Sequence, residues 1–207
     1  MHVLRRDTVM IGFSERSSPA AIDYIADLLF AQTEVTNVIV VVMPAENTAI
    51  HLDMVFTQVD REQCVLFPPH FVGAERLPVL LWRKGQHQLA QMPNVFAALS
   101  ACGLPMEPIF CGGERRILQE REQWASGCNF VAVRPGVVLS YQRNEGTLRE
   151  MERSGFRLVS SLAFLTGQER IGDSDRAVIT FEGGELVRGG GGPRCMTCPV
   201  TRDDPWD

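Results

Sequence analysis

Three observations predict an α/β fold for this chain. Short β-branched runs alternate with short helical ones along all 207 residues. The run Val38-Ile39-Val40-Val41-Val42 reads as a strand buried on both faces. A pattern of strands, helix and strand returns about every 60 to 80 residues, which fits a repetitive α/β architecture. Hydrophobic content of 45% and charged content of 22% are globular values, and no linker divides the chain, so residues 1–207 are expected to form a single domain.

In chain order, residues 8–13 are β-prone. Ser18 followed by Pro19 makes an N-cap and first-turn pair, and Ile22, Ile25, Leu28 and Leu29 mark one apolar face of a helix running to Phe30. After the strand over 37–43, residues 50–57 and 64–67 read as strands, which puts His51 on a strand or at its mouth. Residues 76–91 mix the apolar run Val79-Leu80-Leu81-Trp82 with a polar stretch and define no single element. A helix over 93–102 is stopped by Gly103. Residues 106–111 are strand-like, and strands over 130–134 and 137–141 flank the turn pair Pro135-Gly136. The run Glu120-Arg121-Glu122 reads as a solvated helical face. Leu148 and Met151, among charged neighbours and ahead of Gly155, mark a short amphipathic helix. A strand over 178–181 is expected near the end, preceded by a polar run, 167–176, inside an insertion loop over about 160–179.

Composition narrows the function. Twenty Lys plus Arg against 25 Asp plus Glu give a formal charge of -5. No basic tract is present to neutralise phosphates or anionic headgroups, so neither nucleic acid nor a membrane is expected as partner. The densest apolar run ends at Pro44, far short of the roughly 20 residues of a membrane helix. Six cysteines in a chain of this length, with no signal peptide, do not make a disulfide framework, and a reducing cytoplasm is expected.

The chemistry concentrates near the end, where Gly189-Gly190-Gly191-Gly192-Pro193-Arg194 delivers Cys195. Glycines without a Cβ allow backbone to approach a ligand closely, which suits a loop that wraps a small substrate. His51 and Asp53, far upstream, supply a proton shuttle and an anion that a thiol nucleophile needs. Cys195 and Cys198 could instead be a redox pair, but the short tail with Pro199 leaves no helix whose N-terminus would stabilise a thiolate. A structural zinc site lacks a second closely spaced pair of ligands. Cys64, Cys102, Cys111 and Cys128 sit in apolar or turn segments and read as inert packing. His2, His70 and His87 have no acidic or catalytic context.

Several blocks taken together carry a resemblance. Residues Ile11-Gly12-Phe13-Ser14-Glu15-Arg16-Ser17-Ser18, His51-Leu52-Asp53-Met54-Val55-Phe56-Thr57, Glu120-Arg121-Glu122-Gln123-Trp124, Ala132-Val133-Arg134-Pro135-Gly136-Val137-Val138 and Arg194-Cys195-Met196-Thr197-Cys198-Pro199 stand in the order found in the arginine deiminases of the amidinotransferase (guanidine-modifying) superfamily. The chain resembles the C-terminal portion of that family, most weakly over 71–91 and 160–179.

The resemblance implies a pentein fan, a partial α/β propeller of ββαβ-type pseudo-repeats, and an enzyme without metal or other cofactor. The implied reaction is hydrolysis of L-arginine to L-citrulline and ammonia through a covalent cysteine thiouronium intermediate. By the same resemblance Cys195 is the nucleophile and His51 the general acid and base. Asp53 is a further catalytic residue that grips the guanidinium, Arg16 holds the substrate carboxylate, and Gly192 and Arg194 also bind the substrate. A guanidinium is charged and planar, so a carboxylate that forks onto its N–H groups is the chemically fitting partner. Cations near Cys195, including Arg194, protonated His51 and the substrate, are expected to draw its thiol down from about 8.5.

The family also carries an aspartate and a glutamate upstream of the block at 8–18, before the start of this chain. Removing one partner of a buried charged pair costs about 3 to 5 kcal/mol, a weakening of roughly a hundred- to several-thousandfold. Pairing with an N-terminal half, or self-association to a homo-oligomer, is therefore expected. Two alternatives remain open on sequence: an amidinotransferase that passes the same intermediate to an amine, and a non-catalytic arginine-binding remnant.

Overall fold

A computed structural model describes residues 1–206 as a mixed α/β chain, with three mixed sheets and six α-helices among the described residues. Backbone contacts divide it into two compact units. The first comprises Met1–Leu52 and Pro69–Met106 with Trp206, the second Asp53–Pro68 and Glu107–Pro205.

The first unit opens with β1 (His2–Arg5), β2 (Thr8–Phe13), α1 (Pro19–Gln32) and β3 (Asn37–Val42). The chain then passes through β4 (Phe56–Asp60) and β5 (Gln63–Leu66), which belong to the second unit, and the short α2 (Pro68–Phe71). It completes the first unit with β6 (Val79–Arg83), β7 (Ala90–Met92) and α3 (Val95–Ala101). The sheet order is β1-β2-β3-β6-β7, with β2 and β3 parallel across α1 and the other pairs antiparallel. Residues 76–91, which offered no clear period, thus hold β6 and most of a hairpin.

Helix α1 starts as its sequence requires: Ser18 Oγ accepts from the backbone N–H of Ala21 at 3.2 Å, and Pro19 takes the first turn. Its buried stripe is Ile22, Ala26 and Phe30, packed on Val9, Ile11, Val38 and Val40. Ile25, expected on the apolar face, is exposed. Phe30 meets Trp82 edge to face at 5.8 Å. Met10, Ile39 and Leu81 alternate to the opposite face and are buried, where α3 packs on β3 and β6. Helix α3 is capped by Asn94 Oδ1, 2.8 Å from the N–H of Ala97, and Gly103 past its end takes φ +70°.

The second unit continues with β8 (Glu107–Phe110), α4 (Arg116–Trp124), β9 (Val131–Arg134), β10 (Val137–Tyr141), α5 (Glu145–Arg153), β11 (Arg157–Ser160), α6 (Ser161–Leu165) and β12 (Ala177–Phe181). Strand β5 pairs antiparallel with β4 and parallel with β8. The larger sheet runs β11-β12-β10-β9, with β9 and β10 a hairpin turning at Pro135-Gly136 and the other pairs parallel. The segment 160–179 contains α6, whose Leu162 and Leu165 are exposed, and a turn region bound to Arg157 through Glu169 at 2.7 Å.

The helical face at 120–122 is not uniformly solvated. Glu122 is 1% exposed. Its Oε1 accepts from the N–H of Gly146 at 2.8 Å, and its Oε2 from the N–H and Oγ1 of Thr147 at 2.7 and 2.8 Å. These donors belong to the first turn of α5, whose N-cap side chain makes no capping bond, so a carboxylate from α4 completes the helix end and complements its dipole.

Candidate active site

Residues 50–57 do not form one strand. Two 3-10 turns, Asn47–Ala49 and Leu52–Met54, precede β4, and His51 lies exposed between them. The second turn carries Asp53, and the N–H and C=O groups of a turn are free to be met by other segments.

Within the second unit, Asp53 meets the terminal loop. Its Oδ2 accepts from Nη1 of Arg194 at 2.9 Å and lies 3.8 Å from Sγ of Cys195. Oδ1 is buried and accepts no hydrogen bond among the described residues. The Asp53 side chain is 12% exposed and that of Arg194 27%. Cys195 itself lies at the surface, in the 3-10 turn Arg194–Met196.

Asn129, wholly buried, joins the two segments. Its Oδ1 accepts from the backbone N–H of Arg194 at 2.9 Å and of Cys195 at 3.4 Å. Its Nδ2 donates to the carbonyl of Asp53 at 3.1 Å and approaches Sγ of Cys195 at 3.3 Å. Gly192 makes this possible, because a Cβ there would fall 2.6 Å from Asn129 Oδ1. At Gly191 the backbone takes φ +87°, and a Cβ would come within 3.0 Å of the Cys195 side chain.

The Cys195 thiol is held above its ordinary value. Partial burial is the main cause, and the negative charge and acceptor oxygen of Asp53 add to it; the backbone of Gly192 and the Asn129 amide pull the other way. The expected lowering by nearby cations is therefore not met: the guanidinium of Arg194 is bonded to Asp53. The buried phenol of Tyr141 is also raised, first by burial and then by the nearby Cys195. Its ring packs so closely on Gly183 that a Cβ there would fall 2.2 Å from it.

Of the residues singled out by sequence, the structure gathers Asp53, Gly192, Arg194 and Cys195. Arg16 and His51 belong to the first unit. Arg16 lies exposed between β2 and α1, 3.7 Å from Glu15, with its N–H donating to Ser14 Oγ at 3.2 Å. Sequence reasoning missed Asn129 and Tyr141, and no periodicity or spacing marks either. Cys64, Cys102, Cys111 and Cys128 are buried free thiols, with burial raising those of Cys64, Cys102 and Cys128. Among the described residues no group of His, Cys, Asp and Glu is placed to hold a metal ion, and no helix is long and apolar enough to cross a membrane.

The chain belongs to the arginine deiminase family, whose sequence model matches residues 1–202. It is similar to an arginine deiminase of Listeria welshimeri, 34% identical over 207 residues that cover 98% of this chain and 46% of that protein. An arginine deiminase of Mycoplasma capricolum is 31% identical over 204 residues, again 98% of this chain and 46% of the relative. The chain thus spans about half the length of the curated relatives it matches.

Proposed function

We propose that this chain is the C-terminal catalytic portion of an arginine deiminase, a hydrolase acting on the amidine C–N bond of L-arginine. One observation carries the reading: the Asp53 carboxylate binds a guanidinium, that of Arg194, at 2.9 Å, within 3.8 Å of the Cys195 sulfur. Its second oxygen is buried and accepts nothing among the described residues, which leaves it available to a forked pair of N–H donors. Substrate arginine would replace Arg194 on this carboxylate.

In the proposed reaction the Cys195 sulfur bonds to the guanidinium carbon. The C–N bond to a terminal nitrogen then breaks, and that nitrogen leaves as ammonia with a proton delivered by His51. Water, deprotonated by His51, adds to the thiouronium carbon; the C–S bond breaks, releasing citrulline and the thiolate. Arg16 would bind the substrate carboxylate, and Gly192 and Arg194 would shape the loop. Because Asp53 raises the thiol, a cationic substrate that neutralises Asp53 favours its ionisation, which makes the nucleophile form when substrate is bound.

The family membership supports a pentein propeller of which this chain supplies part as one domain, with 160–179 an insertion. It also supports action in the cytoplasm and completion of the site by an N-terminal half or a second copy, since relatives are about twice as long. The test is citrulline release by the purified chain, alone and supplemented with the upstream half of a relative. Turnover lost in Cys195→Ala and His51→Ala is expected. No citrulline with the upstream half present would defeat the reading in favour of an arginine-binding remnant, and transfer to an added amine would favour an amidinotransferase.

A further inference from the structure

We infer that Asn129 is a positioning residue for the nucleophile, its single amide group holding the Cys195 turn and sulfur in register with Asp53. The inference deepens the proposed function by naming what orients the thiol, yet the contacts stand whichever guanidine is the substrate.

The orientation of the amide follows from its neighbours. The backbone N–H groups of Arg194 and Cys195 can only donate, so Oδ1 faces them, at 2.9 and 3.4 Å. The Asp53 carbonyl can only accept, so Nδ2 faces it, at 3.1 Å, and the second hydrogen of Nδ2 is left for Sγ of Cys195 at 3.3 Å. Every polar atom of this buried side chain is thereby used on the two segments that meet at the site. A buried polar group so fully engaged fixes one geometry rather than several.

Asn129 is itself held rigidly. Its N–H donates to the carbonyl of Ser126 at 3.0 Å, closing a turn in which buried Ser126 takes φ 61°, a conformation that non-glycine residues adopt only when surroundings impose it. Gly127 in the same turn has no room for a side chain, since a Cβ would lie 2.8 Å from both Cys111 Sγ and the Glu122 carbonyl. Thr57 Oγ1 in β4 donates to the carbonyl of Cys128 at 2.6 Å. The glycine-rich loop therefore docks on a preformed amide.

Among the described residues, Asp53, Arg194 and Tyr141 are charged or titratable groups near Sγ. Against the raising influence of burial and Asp53, the Asn129 N–H is a donor that favours thiolate. In Asn129→Asp the shape persists but the donor becomes an acceptor facing both the Asp53 carbonyl and the sulfur.

The test measures iodoacetamide labelling of Cys195 against pH in the full chain, with the labelled residue located by fragmentation mass spectrometry of the peptide that carries both Cys195 and Cys198, so that the two thiols are counted separately. Labelling requires no arginine turnover, so its outcome is independent of the proposed reaction. Asn129→Asp is expected to move the labelling midpoint up by about one pH unit and to slow labelling near pH 8 about tenfold. Gly192→Ala, which leaves Asn129 in place but forces the loop off it, is expected to change the profile as well. A profile for Asn129→Asp that superimposes on that of the unmutated chain would overturn the inference. Should either variant fail to fold, the unmutated chain labelled with 15N-asparagine decides: alkylation of Cys195 is expected to shift the Asn129 side-chain amide signals, and unshifted signals would overturn the inference.

Discussion

Replacing Glu122 by Gln isolates one buried carboxylate whose neighbours are all defined. Its oxygens take two backbone N–H groups and one hydroxyl at 2.7 to 2.8 Å from the first turn of α5. Arg121 approaches at 3.4 Å but is 65% exposed, so it compensates little of the charge. Gln keeps one acceptor and turns the other position into a donor that faces a donor. An unsatisfied buried donor costs about 1–3 kcal/mol, and loss of a negative charge at a helix N-terminus about 0.3–2 kcal/mol. A central figure of about 3 kcal/mol, at roughly 2–4 °C per kcal/mol for a chain of this size, lowers the melting midpoint by roughly 6–12 °C. Circular dichroism melts at pH 7, with amide hydrogen exchange at Gly146 and Thr147, read the effect. Glu120→Gln on the same helix, whose partner Arg116 is exposed, serves as the control that barely moves. An unchanged midpoint and unchanged exchange in Glu122→Gln would refute the capping argument.

Asp53→Asn should separate thiol reactivity from turnover: the labelling midpoint of Cys195 falls because one of the influences raising it is removed, while citrulline release by the completed enzyme is lost with the guanidinium grip. A labelling midpoint that rises would contradict the electrostatic assignment. Asp7 is held below the ordinary carboxylate value, chiefly by hydrogen bonds from Arg5 at 2.7 and 2.9 Å. Its folded pKa is depressed, so its stabilisation is present above the unfolded value of about 3.9 and is lost as pH falls through the folded one. Asp7→Asn should lower stability at pH 7 by about 1 kcal/mol or less, because the pair is partly exposed. Melts of the two proteins should converge in strong acid; a constant difference at all pH values would count against the linkage.

Local signals made much of the architecture legible. Ser18 with Pro19, Gly103, and Pro135-Gly136 each encode a start, a stop or a turn in their own backbone preferences, and each stands where the sequence puts it. Residues 50–57 misled because Ile50, Leu52, Val55 and Phe56 supply apolar character without strict alternation, and a 3-10 turn that buries only Leu52 precedes the strand. Glu122 was illegible for a different reason. Its charged neighbours Glu120 and Arg121 are those of a solvated helix, and only the distant first turn of α5 makes its burial affordable. Cys195 and Asp53 could be paired through chemistry, whereas Asn129 is recognised only when the chain is folded and two segments far apart in sequence arrive at one amide.

The central claim is that the Cys195 sulfur forms a bond to the guanidinium carbon of arginine. Acid-quenching the chain, completed by an upstream half, during turnover and then fragmenting the peptide that holds Cys195 and Cys198 in a mass spectrometer tests it directly. The account predicts a transient adduct equal to arginine less ammonia on Cys195 and on no other cysteine. Citrulline released steadily while Cys195 stays unmodified, or by Cys195→Ala at an undiminished rate, would contradict it.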